Sequence, residues 1–184
     1  NDGTAVIFEG QAVRVGILAW LSVLGGLEGV RLRDLSEAHL VHTRIHGSRS
    51  TGLRLNGVNT ASLICASVTG SQGKHPDRAG IQAVVEVRSS GLAIFKSRIG
   101  QSSAPGLRAG FNQADLENCT QSPVCPFSAF VFIEDSYIED VQGVGVDLRY
   151  AAFGLHRSAI RNVTGGMQTQ GTGLHSIQSF GRTW

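Results

Sequence analysis

The sequence predicts an all-β solenoid, in which short strands wind into coils that stack along one axis. Three observations favour this fold class. The stretch from Gly29 to Gly47 returns in similar form 23 residues later, from Gly52 to Gly70. Apolar and polar residues alternate within each repeat, as in Leu53-Arg54-Leu55, which is the period of a strand with one buried face. The segments are also too short for helices and are separated by glycines.

Aligned repeats give columns of equivalent residues. The first apolar column contains Val30, Leu53, Ile81, Leu107, Val146 and Leu174. The second contains Leu40, Leu63, Ile94, Ile133 and Leu155, and the third contains Ile45, Val68, Ile99, Ile138 and Ile160. A column of small residues lies between the last two, namely Thr43, Ala66, Ser97, Ser136 and Ser158. Stacked coils would turn each column into a ladder with a step of ~4.8 Å, so we expect the second column to be buried throughout.

This coil pattern of glycine, alternating Leu, Ile or Val, and a small residue before the last apolar position resembles the right-handed parallel β-helix of the pectin-lyase-like superfamily. The resemblance covers roughly Gly29 to Gln178. It implies one β-helix domain over residues 1–184, with about six to seven coils. Members include polysaccharide lyases, glycoside hydrolases, uronate epimerases, phage tailspikes and adhesins, so the resemblance indicates an architecture rather than one activity. A leucine-rich repeat, the competing solenoid, would need an Asn ladder and a helical half-repeat, which the sequence lacks.

Composition narrows the classes of partner. Of 184 residues, 41% are hydrophobic and 16% are charged, as in a folded protein. A net charge of +2 is too small to predict nucleic-acid binding. The most apolar stretch, VRVGILAWLSVLGG, is shorter than a membrane span and contains Arg14. Nothing in the sequence predicts a cofactor.

The ends and the cysteines point to an exported protein in a larger assembly. No amphipathic cap helix precedes the first repeat, and the chain stops within a coil, at SIQSFGRTW. Exposed β-helix ends seek partners, so we expect a longer chain, or a neighbouring domain or subunit that covers them. Cys119 and Cys125 bracket a short polar loop and are predicted to form a disulfide, which leaves Cys65 free.

Three insertions interrupt the repeat, and insertions are where solenoids usually place function. They are Ser71–Ala79, Phe111–Ala129 and Val163–Thr172. The first contains Lys74, His75, Asp77 and Arg78, the candidate catalytic residues. A basic group beside a histidine could abstract the C5 proton of a uronic acid while cations neutralise its carboxylate. The alternative is a solvated surface loop.

Two further clusters have plainer interpretations. His39, His42 and His46 would share one face only on a helix, which the repeat excludes, so no metal site is predicted. The acidic run IEDSYIED resembles a pair of catalytic carboxylates. The alignment instead puts Asp135 between Lys96 and Arg157, Glu134 beside His156 and Glu139 beside Arg161, which predicts an exposed ionic ladder.

An outward column of four residues is the candidate carbohydrate-binding surface. This arginine stripe consists of Arg31, Arg54, Gln82 and Arg108, one on each of four successive coils. Like charges one strand apart repel, so the stripe is favourable only if an anionic ligand or flanking carboxylates compensate. Arginine suits bidentate recognition of carboxylate or sulfate. The alternative is an ordinary solvated face.

These observations predict an extracellular or cell-envelope module that binds or presents itself to acidic polysaccharide without catalysis. One alternative is part of a polysaccharide lyase, epimerase or glycoside hydrolase. Another is a structural segment of a fibre or large assembly. The three differ in outcome, because a binding module retains glycan, an enzyme releases product, and an assembly makes end-to-end contacts.

Overall fold

The computed structural model describes residues 3–10, 14–74, 82–88, 90–110, 129–165, 171–177 and 180–183. In this part of the chain the backbone forms 20 strands, which belong to three parallel sheets. Neighbouring strands within a sheet are three apart in the chain, as in the order β1-β4-β7. The chain therefore visits the three sheets in turn, and each circuit adds one strand to each sheet.

Strand bounds follow the order of the coils. Sheet A contains β1 (Thr4–Glu9), β4 (Glu28–Arg33), β7 (Leu53–Asn56), β10 (Val85–Arg88), β13 (Leu107–Gly110), β16 (Val144–Arg149) and β19 (Thr172–Ile177). Sheet B contains β2 (Val15–Ala19), β5 (Glu37–Val41), β8 (Thr60–Ile64), β11 (Ser90–Phe95), β14 (Ala129–Glu134), β17 (Ala151–His156) and β20 (Phe180–Thr183). Sheet C contains β3 (Ser22–Leu24), β6 (Arg44–His46), β9 (Ser67–Thr69), β12 (Arg98–Gly100), β15 (Tyr137–Gln142) and β18 (Ala159–Thr164).

The architecture is a right-handed parallel β-helix, which confirms the predicted fold class. Six coils contribute strands to all three sheets, and a seventh contributes β19 and β20. We number these coils 1 to 7 from the N-terminal side. Such winding buries one face of every sheet, so the strands need no hairpin partners.

The second column forms a continuous ladder inside the helix. Leu40 pairs with Leu63, and the register continues through Ile94 and Ile133 to Leu155. The first four side chains are each 1% exposed, whereas Leu155 is only partly buried. The third column pairs as the sequence predicts, with Val23 added on coil 1. The predicted stacking is thus confirmed, and full burial fails only at Leu155.

The first column differs from its prediction on coil 4. Val85, not Ile81, pairs with Leu53 on one side and Leu107 on the other. The alignment placed coil 4 four residues too early, because the preceding insertion hides the true start of the strand. Ile81 itself lies outside the described residues.

The column of small residues forms a ladder of hydroxyl groups. The Ser97 hydroxyl accepts a hydrogen bond from the Ala66 amide at 3.0 Å, and the Ser136 hydroxyl accepts one from the Ser97 amide at 3.0 Å. The Ser158 hydroxyl continues the ladder with the Ser136 amide at 2.9 Å. These serines follow the turn from sheet B to sheet C, where the amides have no strand partner. Buried amides need such acceptors, which explains why the column tolerates only small residues and favours serine.

Candidate functional site

The outer face of sheet A has a column of alternating charge. Arg54 pairs in register with Arg31 and Glu86, and Glu86 pairs with Arg108. Arg108 then pairs with Asp147, and Asp147 with His175. From coil 3 onward each charged residue therefore lies beside one of opposite sign or beside a histidine, which favours the fold.

Gln82 does not belong to this column. The stripe predicted Gln82 between Arg54 and Arg108, but Glu86 occupies that position. Gln82 precedes the strand and is buried, 5% exposed. The error has the same cause as that at Ile81, a shift of four residues across an insertion.

The arginines of the stripe are ion-paired. Arg31 Nη2 lies 2.6 Å from Glu28 Oε2, and Arg108 Nε lies 3.1 Å from Asp147 Oδ2. Arg54 bridges two carboxylates, with Nε 3.0 Å from Glu28 Oε1 and Nη2 3.0 Å from Glu86 Oε2. Flanking carboxylates, one of the two kinds of compensation that the sequence left open, are therefore present beside all three arginines.

Burial gives this network a structural role. The side chains of Glu28 and Glu86 are 0% and 1% exposed, and that of Arg54 is 7% exposed. Charges withdrawn from water need a partner of opposite sign, and each carboxylate has one here. Glycan binding by Arg31, Arg54, Gln82 and Arg108 stays a prediction, but their contacts already account for the three arginines.

Asp147 remains ionised within the same network. Burial alone would raise the pKa of this carboxyl group. A hydrogen bond with His175 and the charges of Arg108 and Arg149 outweigh burial and hold the pKa of Asp147 below its ordinary value. A group in this state suits an ion pair rather than proton donation.

The candidate catalytic loop is described only at its start. Lys74 is exposed, whereas His75, Asp77 and Arg78 lie outside the described residues. Cys119 and Cys125 also lie outside them, so their disulfide stays a prediction. Cys65 is described, and it is a free and exposed thiol.

The acidic run forms the predicted ionic ladder between coils. Arg157 binds Asp135 through Nε at 2.7 Å and Nη2 at 2.9 Å. His156 Nδ1 lies 3.1 Å from Glu134 Oε1, and Arg161 Nε lies 2.5 Å from Glu139 Oε2. The hydrogen bond with Arg157 is the main reason why the pKa of Asp135 lies below its ordinary value, with the charges of Arg157, Lys96 and His156 acting in the same direction against desolvation. The predicted pairing of these carboxylates is thus confirmed, but the ladder is not exposed throughout, because Glu139 is buried.

The three histidines His39, His42 and His46 make separate contacts. His39 shares a hydrogen bond with Ser62 at 2.8 Å, and His46 shares one with Thr69 at 3.0 Å. His42 instead stacks on Trp20, with ring centroids 4.1 Å apart and an interplanar angle of 15°. Within the described ranges, no group of three or more His, Cys, Asp or Glu side chains is placed to hold a metal ion.

A second surface runs along the corner where sheet B turns into sheet C. One residue per coil makes this turn with a positive φ, between 45° and 55°: Trp20, His42, Cys65, Lys96, Asp135 and Arg157. We call these six residues the corner column. The backbone amide of each of the first five members donates a hydrogen bond to the next coil, to the carbonyl of the residue before the next member. The His42 amide, for example, donates to the Ile64 carbonyl at 2.9 Å, so successive members lie one coil apart. A positive φ costs a non-glycine residue free energy, and Trp, Cys, Lys and Arg are poor choices for it.

A groove of about 590 Å³ lies along this corner. We call it the corner groove. Its lining residues are Trp20, His42, Thr43, Arg44, Cys65, Ala66, Ser67, Lys96, Ser97, Arg98, Asp135 and Tyr137. They extend from coil 1 to coil 5, which is four coil spacings or ~19 Å.

Cations predominate in the corner groove. Among the described residues that line it, Arg44, Lys96 and Arg98 are positively charged and Asp135 is the one carboxylate. Arg98 is engaged by Glu139 at 2.5 Å and Asp140 at 3.3 Å. Arg44 and Lys96 are exposed, and no carboxylate of the described residues lies within ion-pair distance of either. Among the described residues Arg44 and Lys96 thus make no ion pair, although the charge of Lys96 also acts on the neighbouring Asp135. We call these two residues the unengaged cations, and they are the charges that the groove offers to an anionic ligand.

Aromatic rings mark both ends of the corner groove. The Trp20 side chain is 79% exposed, with His42 stacked against it. At the other end Tyr137 is 46% exposed, and the Arg161 guanidinium lies 4.6 Å from its ring centroid. An exposed aromatic ring with an apolar face and a polar edge suits recognition of a sugar.

Sequence reasoning did not find this groove. The columns of the repeat put Arg44, Ser67, Arg98 and Tyr137 at one position, a register that sheet C confirms. The sequence did not show the geometry of the turn between sheets B and C. This turn brings the strand position of Arg44, Ser67, Arg98 and Tyr137 beside the corner column. The signal in the sequence was the residue before each small residue, where His42, Cys65 and Lys96 occupy a turn that favours glycine or asparagine. On coil 1 the same turn is made by Trp20, which Leu21 follows, so the column of small residues does not point to it.

Neither the scan against protein-family models nor the search of curated proteins returned a match for this chain. In the part of the chain that the structure describes, no helix is long and apolar enough to cross a membrane.

Proposed function

We propose that the chain is a non-catalytic, exported or cell-surface β-helix module that binds acidic carbohydrate, and that the corner groove is its binding surface. The observation that supports this most is the coincidence of two unengaged cations, Arg44 and Lys96, with the exposed ring of Trp20. Cations bind carboxylate or sulfate, and aromatic faces pack against sugar rings. The resemblance to pectin-lyase-like proteins, many of which act on polysaccharides, points in the same direction.

The groove suits a polymer better than a small molecule. It is an open trough over several coils, and small-molecule sites are enclosed. Each exposed ion pair contributes little, ~0–1 kcal/mol, so useful affinity needs several contacts made at once. We therefore expect weak binding of monosaccharides, tighter binding of long chains and a strong dependence on salt.

The test measures binding of hyaluronate, alginate, polygalacturonate and neutral dextran by calorimetry at low and moderate salt. We expect the wild-type protein to bind one or more of the acidic polymers and not dextran. The double variant Arg44→Ala/Lys96→Ala should lose most of this binding. Arg49→Ala is the matched control, because Arg49 is exposed but does not line the groove. Equal binding by the double variant and the control would refute the groove as the site.

Tryptophan fluorescence gives an independent readout. The chain has two tryptophans, Trp20 and Trp184, so the variant Trp184→Phe isolates the signal of Trp20. A glycan in the groove should change this emission, and Trp20→Ala should weaken binding. An unchanged Trp20 signal under saturating glycan would contradict contact with this ring.

The alternatives give different outcomes in the same samples. A lyase would release unsaturated products, an epimerase altered uronates and a hydrolase new reducing ends. Detection of any of these products would show that the chain is an enzyme and refute the non-catalytic proposal. A purely structural segment would bind no glycan. A neighbouring domain or subunit stays part of the proposal, and the exposed Ile17 and Leu24 on the outer faces of coil 1 are apolar side chains that it would cover.

A further inference from the structure

The corner groove has a charge pattern along the solenoid axis. Coil 2 contributes Arg44, and coil 4 contributes Lys96. Coil 3, between them, contributes the thiol of Cys65 and the hydroxyl of Ser67 at the equivalent positions. The two unengaged cations are therefore two coils apart, a distance of ~9.6 Å along the axis.

On the odd-numbered coils, none of the described residues that line the groove is a cation. Coil 1 contributes Trp20, and coil 5 contributes Tyr137 together with Asp135. Asp135 is bound by Arg157, which lies on the next coil and is absent from the groove lining. The groove thus has an aromatic residue on coil 1, a cation on coil 2, uncharged residues on coil 3, a cation on coil 4, and an aromatic residue with an acid on coil 5.

An extended glycan along the groove would place about one sugar ring on each coil, because the length of one sugar along an extended chain is similar to the spacing between strands. Anionic groups would then meet cations on coils 2 and 4 and uncharged side chains on coil 3. On coils 1 and 5 an uncharged ring could pack on Trp20 or Tyr137, whereas an anion on coil 5 would meet Asp135. Like charges held close together are unfavourable, so this pattern discriminates among acidic polymers.

We propose that the corner groove selects acidic glycans that present one carboxylate or sulfate to it for every two sugars, lying parallel to the solenoid axis. This inference rests on the proposed function and specifies its ligand class. Polymers with an anionic group facing the groove on every ring fit less well. Their additional charges lie over the uncharged Cys65 and over Asp135, whose bound Arg157 is already engaged and does not line the groove.

A charge-conserving swap tests the spacing. The double variant Cys65→Lys/Lys96→Asn moves the second cation from coil 4 to coil 3 and keeps the net charge. Both positions have a positive φ, 50° and 46°, and asparagine accepts this conformation. The measurement is the dissociation constant for hyaluronate, in which a uronate alternates with an uncharged sugar, and for polygalacturonate, in which every ring is a uronate.

We expect the wild-type protein to favour hyaluronate, and the swap to weaken hyaluronate binding about three- to tenfold without weakening polygalacturonate equally. Equal affinity of the swap and the wild type for hyaluronate would overturn the spacing and leave the proposed function intact. Equal wild-type affinity for the two polymers would do the same. Failure of the wild type to bind any acidic glycan would instead overturn the proposed function, and this inference with it.

A second variant keeps the test open if the swap fails to fold. Ser67→Arg adds a cation on coil 3 at the position equivalent to Arg44 and Arg98. It should improve polygalacturonate binding relative to hyaluronate. An equal improvement for both polymers would show that the groove responds to total charge, which would overturn the spacing.

Discussion

Truncation of Arg54 should reveal how much the buried charge network stabilises the fold. Arg54→Ala removes the group that bridges Glu28 and Glu86, whose side chains are 0% and 1% exposed. Arg31 remains 2.6 Å from Glu28, but Arg88 and Arg108 are the next described guanidinium groups to Glu86, at 3.8 and 4.0 Å. Glu86 therefore loses its closest described cation. An uncompensated buried charge costs about 3–5 kcal/mol, and we expect this figure as the upper bound because Arg88 and Arg108 stay near Glu86.

The assay is urea or thermal unfolding at neutral pH. For a chain of this length this upper bound corresponds to a fall in Tm of roughly 6–20 °C. Arg54→Lys keeps the charge but not the fork that reaches both carboxylates, so its loss should be intermediate. Arg33→Ala is the control, because Arg33 pairs with Asp34 at 3.1 Å with both side chains more than half exposed, and it should cost ~1 kcal/mol or less. A loss for Arg54→Ala no larger than that of the control would refute the argument from burial.

Four further predictions concern the core, the hydroxyl ladder, the network and the corner. Leu63→Ala should cost about 2–5 kcal/mol by creating a cavity, and Leu155→Ala distinctly less because it is only partly buried; equal losses in urea would contradict the ladder. Ser136→Ala should cost about 1–3 kcal/mol and speed exchange of the Ser97 amide, which would otherwise stay protected. Because the fold lowers the pKa of Asp147, ionised Asp147 stabilises the protein fully above about pH 4, and this stabilisation is lost as the pH falls through the lower pKa of the folded state. Asp147→Asn should therefore flatten the dependence of the unfolding free energy on pH in this range. An unchanged slope of unfolding free energy against pH would count against the lowered pKa. Lys96→Gly should leave stability unchanged or slightly raised, because relief of a positive φ, ~1–2 kcal/mol, outweighs the flexibility of glycine; a clear loss in Tm would contradict this.

The repeat alone was sufficient to predict most of the fold. A residue in a buried column packs against the equivalent residues of the coils above and below it. The position of Leu63 between Leu40 and Ile94 could therefore be predicted from the alignment. The same logic predicted the ionic ladder, since Asp135 and Arg157 occupy equivalent positions one coil apart. Stacking turns similarity in sequence into proximity in space, which is why a solenoid can be read in this way.

The prediction failed where the repeat is interrupted. Strand β10 begins after an insertion, and both Ile81 and Val85 are apolar residues followed by a polar one. Local alternation therefore fitted two registers, and only pairing with Leu53 and Leu107 distinguishes them. The four-residue error replaced Glu86 with Gln82 in the outward column. Without Glu86 the aligned column lacked the acid that neutralises the arginines, and the column was therefore interpreted as a binding surface.

The two outward columns differ in what the fold itself explains. On sheet A the alternation of acids and bases is what a buried, charged face requires, so folding accounts for Arg54 and Glu86 without a ligand. At the corner, the fold requires a positive φ on every coil, which glycine, asparagine or aspartate would meet at least cost. Tryptophan at position 20 and lysine at position 96 meet it at a cost of ~1–2 kcal/mol each, and both side chains are exposed. Stability does not explain these two choices, whereas contact with an anionic, ring-containing polymer would. This difference is why we propose the corner groove, rather than sheet A, as the binding surface.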